Sequence, residues 1–241
     1  MTTMTTHEND STENERLTRR GSLLRLAGLA AAAGGAGALR LDTADAAGPL
    51  AVSSGLVKCV LAPELTEGPY YVAGEKLRRD VTEGKPGTSL LLNLTVVNAS
   101  TCKPVKNASV EIWHCDAGGV YSGAVANNPG TNFLRGVQKT NAVGVATFKT
   151  IYPGFYQGRA VHIHVKVHVR GTVVHTGQLF FPASVTNVVY KRAPYSAHGT
   201  TPDTPNPSDS IFRNGGSKGL LTLTKNGSGY VGTIGMGVHL T

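Results

Sequence analysis

From Leu90 onward the chain is broken into short runs in which apolar and polar side chains alternate with a period of two, the pattern of β-strands that bury one face. Such runs cover Leu90–Val97, Ala108–Trp113, Val143–Ile151, Ala160–Val169, Thr172–Phe181, Leu220–Thr224 and Tyr230–Ile234. Asn226-Gly227, between the last two, is a hairpin signal, because both residues tolerate the left-handed backbone of a two-residue turn. After the N-terminal segment no stretch carries a helical period, and only a short helical turn is expected within Ser184–Arg192. The pattern predicts an all-β protein, a single-domain β-sandwich. From Lys191 to Lys218 the chain is rich in Pro, Ser, Asp and Gly and reads as one long excursion, placed to cover a pocket or touch a partner.

The run Ala160–Val169 has one face for packing and one for chemistry. Val161, Ile163, Val165, Val167 and Val169 form the apolar face, and His162, His164, Lys166 and His168 form the other. Strand residues i and i+2 point the same way, roughly 7 Å apart, so two imidazoles emerge side by side and can grip one ion. Alone, His-x-His is a weak signal, since surface histidines on half-buried strands are common. Its neighbours strengthen it. Tyr156 and Arg159 lie in the Pro153-Gly-Phe-Tyr156 turn that leads into this run. A second tyrosine, Tyr121, follows the apolar run Ile112-Trp113 through His114-Cys115-Asp116. Turns at strand ends are where a scaffold aims side chains at a shared site.

Three further segments complete a set: Leu65-Thr-Glu-Gly-Pro-Tyr-Tyr71, the run Val110-Glu-Ile-Trp113, and Gln178 within Gly177-Gln-Leu-Phe-Phe181. In this order, from about Cys59 to Phe181, the chain resembles the intradiol ring-cleavage dioxygenases, and most of all the secreted, single-domain members of that family. The resemblance implies a sandwich of the intradiol dioxygenase, transthyretin-like type. It also implies an iron(III) ion, Fe(3+), held by Tyr121, Tyr156, His162 and His164. By the same resemblance Tyr156 is the ligand that leaves when substrate binds, Arg159 stabilises negative charge on the ring, and Gln178 is a hydrogen-bonding residue behind the ligands. The implied reaction opens a catechol-type ring between its two hydroxyl-bearing carbons with O2, giving a muconate-type diacid.

The implied ligands suit the implied cation. Ferric iron favours anionic oxygen, and phenolate supplies it once the metal has lowered a tyrosine pKa from about 10. Two phenolates and a hydroxide cancel its three positive charges, and neutral imidazoles complete the set. A catecholate that displaces the hydroxide and one tyrosinate leaves the charge unchanged, so no net charge is buried on exchange. Tyr70 and Tyr71 are candidates for the pocket wall. His114, His168, His175, His198 and His239 read as structural or exposed.

Residues 1–47 read as an export signal. A polar start is followed by Thr18-Arg19-Arg20-Gly-Ser-Leu-Leu24, an Ala/Gly/Leu stretch to about Leu39, and Ala44-Asp-Ala46 as a small-residue cleavage site. The paired arginines point to the twin-arginine route, hence to a secreted protein, and the apolar stretch is too short for a membrane span. Removing its five basic and six acidic residues raises the formal charge from +8 to +9. The remaining lysines and arginines are scattered, without a basic run or interleaved aromatics, so nucleic acid is not an expected partner. The partners expected are a small catechol-type molecule and O2, with a homodimer left open. Among three cysteines, a disulfide between Cys59 and Cys102 is favoured and Cys115 is expected to be buried and free.

Two other classes compete. A transthyretin-like binding module would use the same sandwich without needing two tyrosines and two histidines in this order. A zinc hydrolase built on the histidine pair would recruit a carboxylate or a third histidine.

Overall fold

A computed structural model of the chain describes residues 61–123 and 128–240. The expected signal over 1–47 and the expected cysteine partner, Cys59, lie outside the described residues.

Eight strands stand among the described residues: β1 (Ser89–Asn98), β2 (Ser109–Trp113), β3 (Arg135–Lys139), β4 (Val145–Ile151), β5 (His162–Val169), β6 (Thr172–Phe180), β7 (Thr222–Asn226) and β8 (Gly229–Val238). They form two four-stranded sheets, ordered β4-β1-β8-β7 and β3-β2-β5-β6. Seven strands fall on predicted runs. The eighth, β3, reads Arg-Gly-Val-Gln-Lys, with a single large apolar residue. Its pairing with β2, not a hydrophobic pattern, makes it a strand. The Asn226-Gly227 signal holds: β7 and β8 pair antiparallel up to Asn226 opposite Gly229. A short helix, α1 (Ala183–Val189), fills most of the segment expected to turn, and a second, α2 (Ser210–Arg213), sits inside the long excursion.

Alternation decides which side chains meet. Leu90, Leu92, Leu94 and Val96 of β1, Val110 and Ile112 of β2, and Ile163, Val165 and Val167 of β5 belong to one buried cluster that draws on both sheets. Each such side chain contributes about 1.5–3 kcal/mol on burial. The opposite face of β5 is also covered. His162, His164 and Lys166 are all buried, because residues 64–71 lie across that face. This cover is pinned by backbone and side-chain bonds. Leu65 N donates to Thr176 O at 2.9 Å, Gln178 Nε2 donates to Thr66 O at 2.9 Å, His175 Nδ1 meets Glu64 at 2.9 Å, and Lys166 pairs with Glu67.

The excursion from Lys191 to Lys218 is anchored rather than loose. Tyr195 is fully buried, donates its hydroxyl to Tyr152 O at 2.7 Å and accepts from Thr88 N at 2.9 Å. Cys115 is buried and free, as expected, with its thiol against Gly154 O. His114 is structural: Nδ1 donates to Cys115 O and Nε2 meets Thr150 Oγ1 at 2.7 Å, and burial lowers its pKa to about 4. His239 is exposed.

Candidate metal centre

One cross-strand row runs through the site. Arg135 of β3 stands opposite Trp113 of β2, Trp113 opposite His164 of β5, and His164 opposite Gln178 of β6. All four side chains are buried on the face away from the main core. Trp113 stacks on His164, rings 4.9 Å apart and 7° from parallel, which fixes the imidazole plane. Gly68, in the covering segment, comes so close that a Cβ there would lie 3.0 Å from Cε1 of His164. Its φ of +78° is a further reason for glycine.

His162, two residues before, points the same way. Its Nδ1 lies 2.6 Å from Ala160 O. A carbonyl only accepts, so Nδ1 carries the hydrogen and the neutral ring presents a lone pair at Nε2. Burial first, then the Arg159 cation, lowers its pKa to about 3, so the ring is neutral at ordinary pH. The Nε2 atoms of His162 and His164 are 3.1 Å apart, and Tyr156 Oη is 3.2 Å from His162 Nε2.

The two tyrosines arrive on two interlocked turns. Asp116 Oδ1 accepts from Gly118 N and Val120 N, each at 3.0 Å, and closes the turn before Tyr121. Gly154 N donates to Asp116 O at 3.0 Å. A Cβ on Gly119 would collide with the Phe155 carbonyl, and one on Gly154 with the Asp116 carbonyl. Glycines at both positions thus let the turns pack backbone to backbone, and the Tyr121 and Tyr156 rings meet at 5.6 Å. Arg135 holds the segment after Tyr121, donating from Nε to Ser122 Oγ and from Nη2 to Ser122 O, each at 2.8 Å.

All six predicted site residues therefore gather in one cluster: Tyr121, Tyr156, His162, His164, Arg159 and Gln178. Arg159 joins three of them. Nη1 reaches Tyr156 Oη at 3.3 Å and stands 3.5 Å from His162 Nε2, while Nη2 donates to Gln178 Oε1 at 2.5 Å. Its Nε bonds a residue the sequence did not suggest, Asp209, at 2.9 Å. The available signal was the Asp209-Ser-Ile-Phe start of α2, a helix cap: Asp209 Oδ1 accepts from Ile211 N and Phe212 N at 2.7 and 3.1 Å.

The donor set fits a hard cation. Tyr121 Oη is buried, and it finds no hydrogen-bond partner among the described residues, nor does His164 Nδ1. Burial pushes the Tyr121 hydroxyl far above its ordinary pKa and raises that of Tyr156 despite Arg159 beside it. Both phenols stay protonated unless a concentrated positive charge reaches their oxygens. Among the described residues no three of His, Cys, Asp and Glu gather in metal-holding geometry, and the donors that meet at this site are phenols and imidazoles. Two phenols and two imidazoles on one sheet face thus define a donor set whose chemistry suits a single, highly charged, oxygen-loving ion.

Comparison with known proteins extends that definition. Residues 66–187 match the Dioxygenase family model. The chain is 34% identical over 124 residues to catechol 1,2-dioxygenase 1 of Acinetobacter lwoffii, an alignment covering 49% of this chain and 37% of that protein. The chain thus spans little more than a third of that curated relative. An intradiol ring-cleavage dioxygenase from Tetranychus urticae superposes with a TM-score of 0.71 at 34% identity, covering 75% of this chain and 95% of that one. The dioxygenase domain of a dioxygenase and carbohydrate-binding protein fusion from Streptomyces sp. SirexAA-E gives 0.59 at 30% identity, covering 75% and 99%. The chain belongs to the intradiol ring-cleavage dioxygenase family. Members of this family use non-haem iron(III).

Proposed function

We propose that the protein is an exported, single-domain sandwich enzyme that opens catechol-type rings with O2 to muconate-type diacids at an iron(III) site. The observation that carries this reading is the convergence of Tyr156 Oη and the two imidazole Nε2 atoms within 3.2 Å steps, beside the buried, unpartnered hydroxyl of Tyr121. Tyr121, Tyr156, His162 and His164 would hold the ion. When bound, ferric iron supplies the Lewis acidity that activates a chelated catecholate for attack by O2 on the ring.

The chain's own residues divide the remaining work. Tyr156 Oη has a partner outside the imidazole pair, Arg159 Nη1, so a phenolate at that position would stay paired and could take up a catechol proton. Arg159 then faces the ring with Nη1 as a fixed donor for negative charge that develops during cleavage. Gln178 holds the far arm of the guanidinium and is itself held by Thr66 O. Trp113, Tyr70 and Tyr71 pack around Tyr121 and exclude water from the buried side of the pocket. Arg19-Arg20 supports export by the twin-arginine route, and Cys102 bonding to Cys59 is part of the same reading. Among the described residues no helix is long and apolar enough to cross a membrane.

A purified, iron-loaded protein should be coloured, because tyrosinate-to-iron(III) charge transfer absorbs visible light and zinc gives no such band. Catechol and O2 without reductant should give cis,cis-muconate. A colourless protein after ferric reconstitution, or the yellow semialdehyde of cleavage beside the diol, would overturn the reading. A binding module without chemistry predicts neither colour nor product.

A further inference from the structure

The long excursion after Lys191 brings one carboxylate back to the site. Asp209 is 1% exposed, and its two oxygens do different things. Oδ1 caps α2 through Ile211 N and Phe212 N. Oδ2 accepts from Arg159 Nε and from the Ala160 backbone N–H, both at 2.9 Å. Ala160 is the residue whose carbonyl fixes the His162 tautomer. Phe212 on the same helix packs edge-on against Phe180 at 5.2 Å, and Phe180 lies 6.1 Å from the His162 ring. The excursion is thereby seated on the strands that bear the site.

The guanidinium of Arg159 is consequently gripped on two of its three nitrogens. Nε is held by Asp209 and Nη2 by Gln178, so the planar group cannot rotate and Nη1 alone points at Tyr156 Oη and His162 Nε2. A buried carboxylate at Nε also offsets the cation's charge, which otherwise bears directly on two neutral imidazoles. We propose that Asp209 is a positioning residue: through the Nε bond it fixes the Arg159 guanidinium so that Nη1 meets Tyr156 Oη, and it makes the 191–218 excursion part of the site. The inference rests on the dioxygenase reading for its catalytic consequence, but the clamp itself can be read without iron.

Asp209→Asn and Asp209→Ser remove the charge while leaving side chains that still cap a helix. In iron-free protein the Arg159 Nε–H should give a slowly exchanging NMR signal in the parent that is lost in both variants. A signal equally protected in parent and variants overturns the clamp, whatever the enzyme does. In iron-loaded protein, each variant should lower kcat for catechol opening at least tenfold with KM changed less than threefold and iron content unchanged. Placed in an Arg159→Ala background, the same substitutions should change kcat by less than twofold, because nothing remains to be positioned. An equal loss in both backgrounds, or no loss in the parent, overturns the proposal while the dioxygenase reading stands. A parent that shows the protected signal yet neither ferric colour nor ring opening overturns the catalytic role together with that reading.

Discussion

Tyr121 is 3% exposed, stacks on Tyr70 at 4.3 Å and 17°, has the Arg135 guanidinium 5.8 Å from its ring, and has a hydroxyl with no partner among the described residues. Tyr156, 5.6 Å away ring to ring, is only half-buried, meets Tyr70 edge-on at 5.9 Å, and bonds both His162 Nε2 and Arg159 Nη1. The same phenol is thus offered twice, once fully buried with an unpaired hydroxyl, once half-buried with a cation already beside its oxygen. An oxygen with no alternative partner stays with a metal, since leaving would strand a buried anion. An oxygen with a cation at 3.3 Å can leave without that penalty. The unequal roles proposed for the two tyrosines follow from their surroundings and not from their chemistry.

The largest effect should come from removing the buried, unpaired phenol. Tyr121→Phe is expected to lose ferric colour and ring opening together, a loss beyond the roughly 10–100-fold typical of residues that only support a ligand. Iron content and the visible spectrum measure it. Tyr156→Phe should differ in kind: iron retained, colour shifted, catechol bound and turned over poorly. Indistinguishable iron content and spectra for the two variants would break the comparison.

Arg159 tests why Tyr156 can leave. Under the proposed roles Arg159→Gln removes both the cation that would receive a freed Tyr156 hydroxyl and the donor that would face the ring, and it should lower kcat by roughly 100-fold, the usual cost of one such donor. The absorption of the resting ferric site should change far less than in Tyr121→Phe. A variant with normal kcat would show that Nη1 serves packing only. On the other side of the comparison, Tyr70→Ala removes the stack on Tyr121. Aromatic pairs contribute about 0.5–1.5 kcal/mol, so a loss of no more than about tenfold is expected, with iron bound more weakly. Iron affinity by competition with a chelator would read it.

The sequence showed the four proposed ligands and the arginine because each lies in a short segment with a recognisable order: a strand with His at i and i+2, a Pro-Gly turn, a tyrosine after a strand end. What it did not show is the scaffold that makes the two tyrosines unequal. Arg135 sits in a strand with no hydrophobic period, so neither β3 nor its guanidinium could be placed. Asp209 lies far along the chain in a segment whose composition reads as loop, its Asp-Ser-Ile-Phe signal marks a helix cap and not a site, and its bond to Arg159 is a product of the tertiary fold. The covering segment 64–71 was visible as a motif, but not its pinning to β6 by Glu64 and Thr66. Local pattern reports faces and turns; long-range polar contacts between segments leave no period to read.

The smallest effect separates stability from chemistry on the same sheet face. Glu111 lies two residues along β2 from Trp113 and on the same face, opposite Lys166, and faces Tyr71 Oη at 3.5 Å and His168 Nε2 at 3.4 Å. Lys166 is itself paired with Glu67 and sits 3.5 Å over the Tyr71 ring. Burial outweighs the Lys166 charge and raises the Glu111 pKa from 4.5 to about 7. The unfolded chain therefore releases this proton near 4.5 and the folded protein keeps it until about 7. Between those values the folded state binds more protons, so this group makes stability fall as pH rises through that window and adds no further slope above it. Glu111→Gln copies the protonated form. It should raise the urea midpoint at pH 8, change it little at pH 4, and leave the ferric colour and kcat unchanged. A midpoint shift of the same size at both pH values would show that Glu111 is not held protonated by burial. A change in colour would show that this end of the face reaches the tyrosines after all.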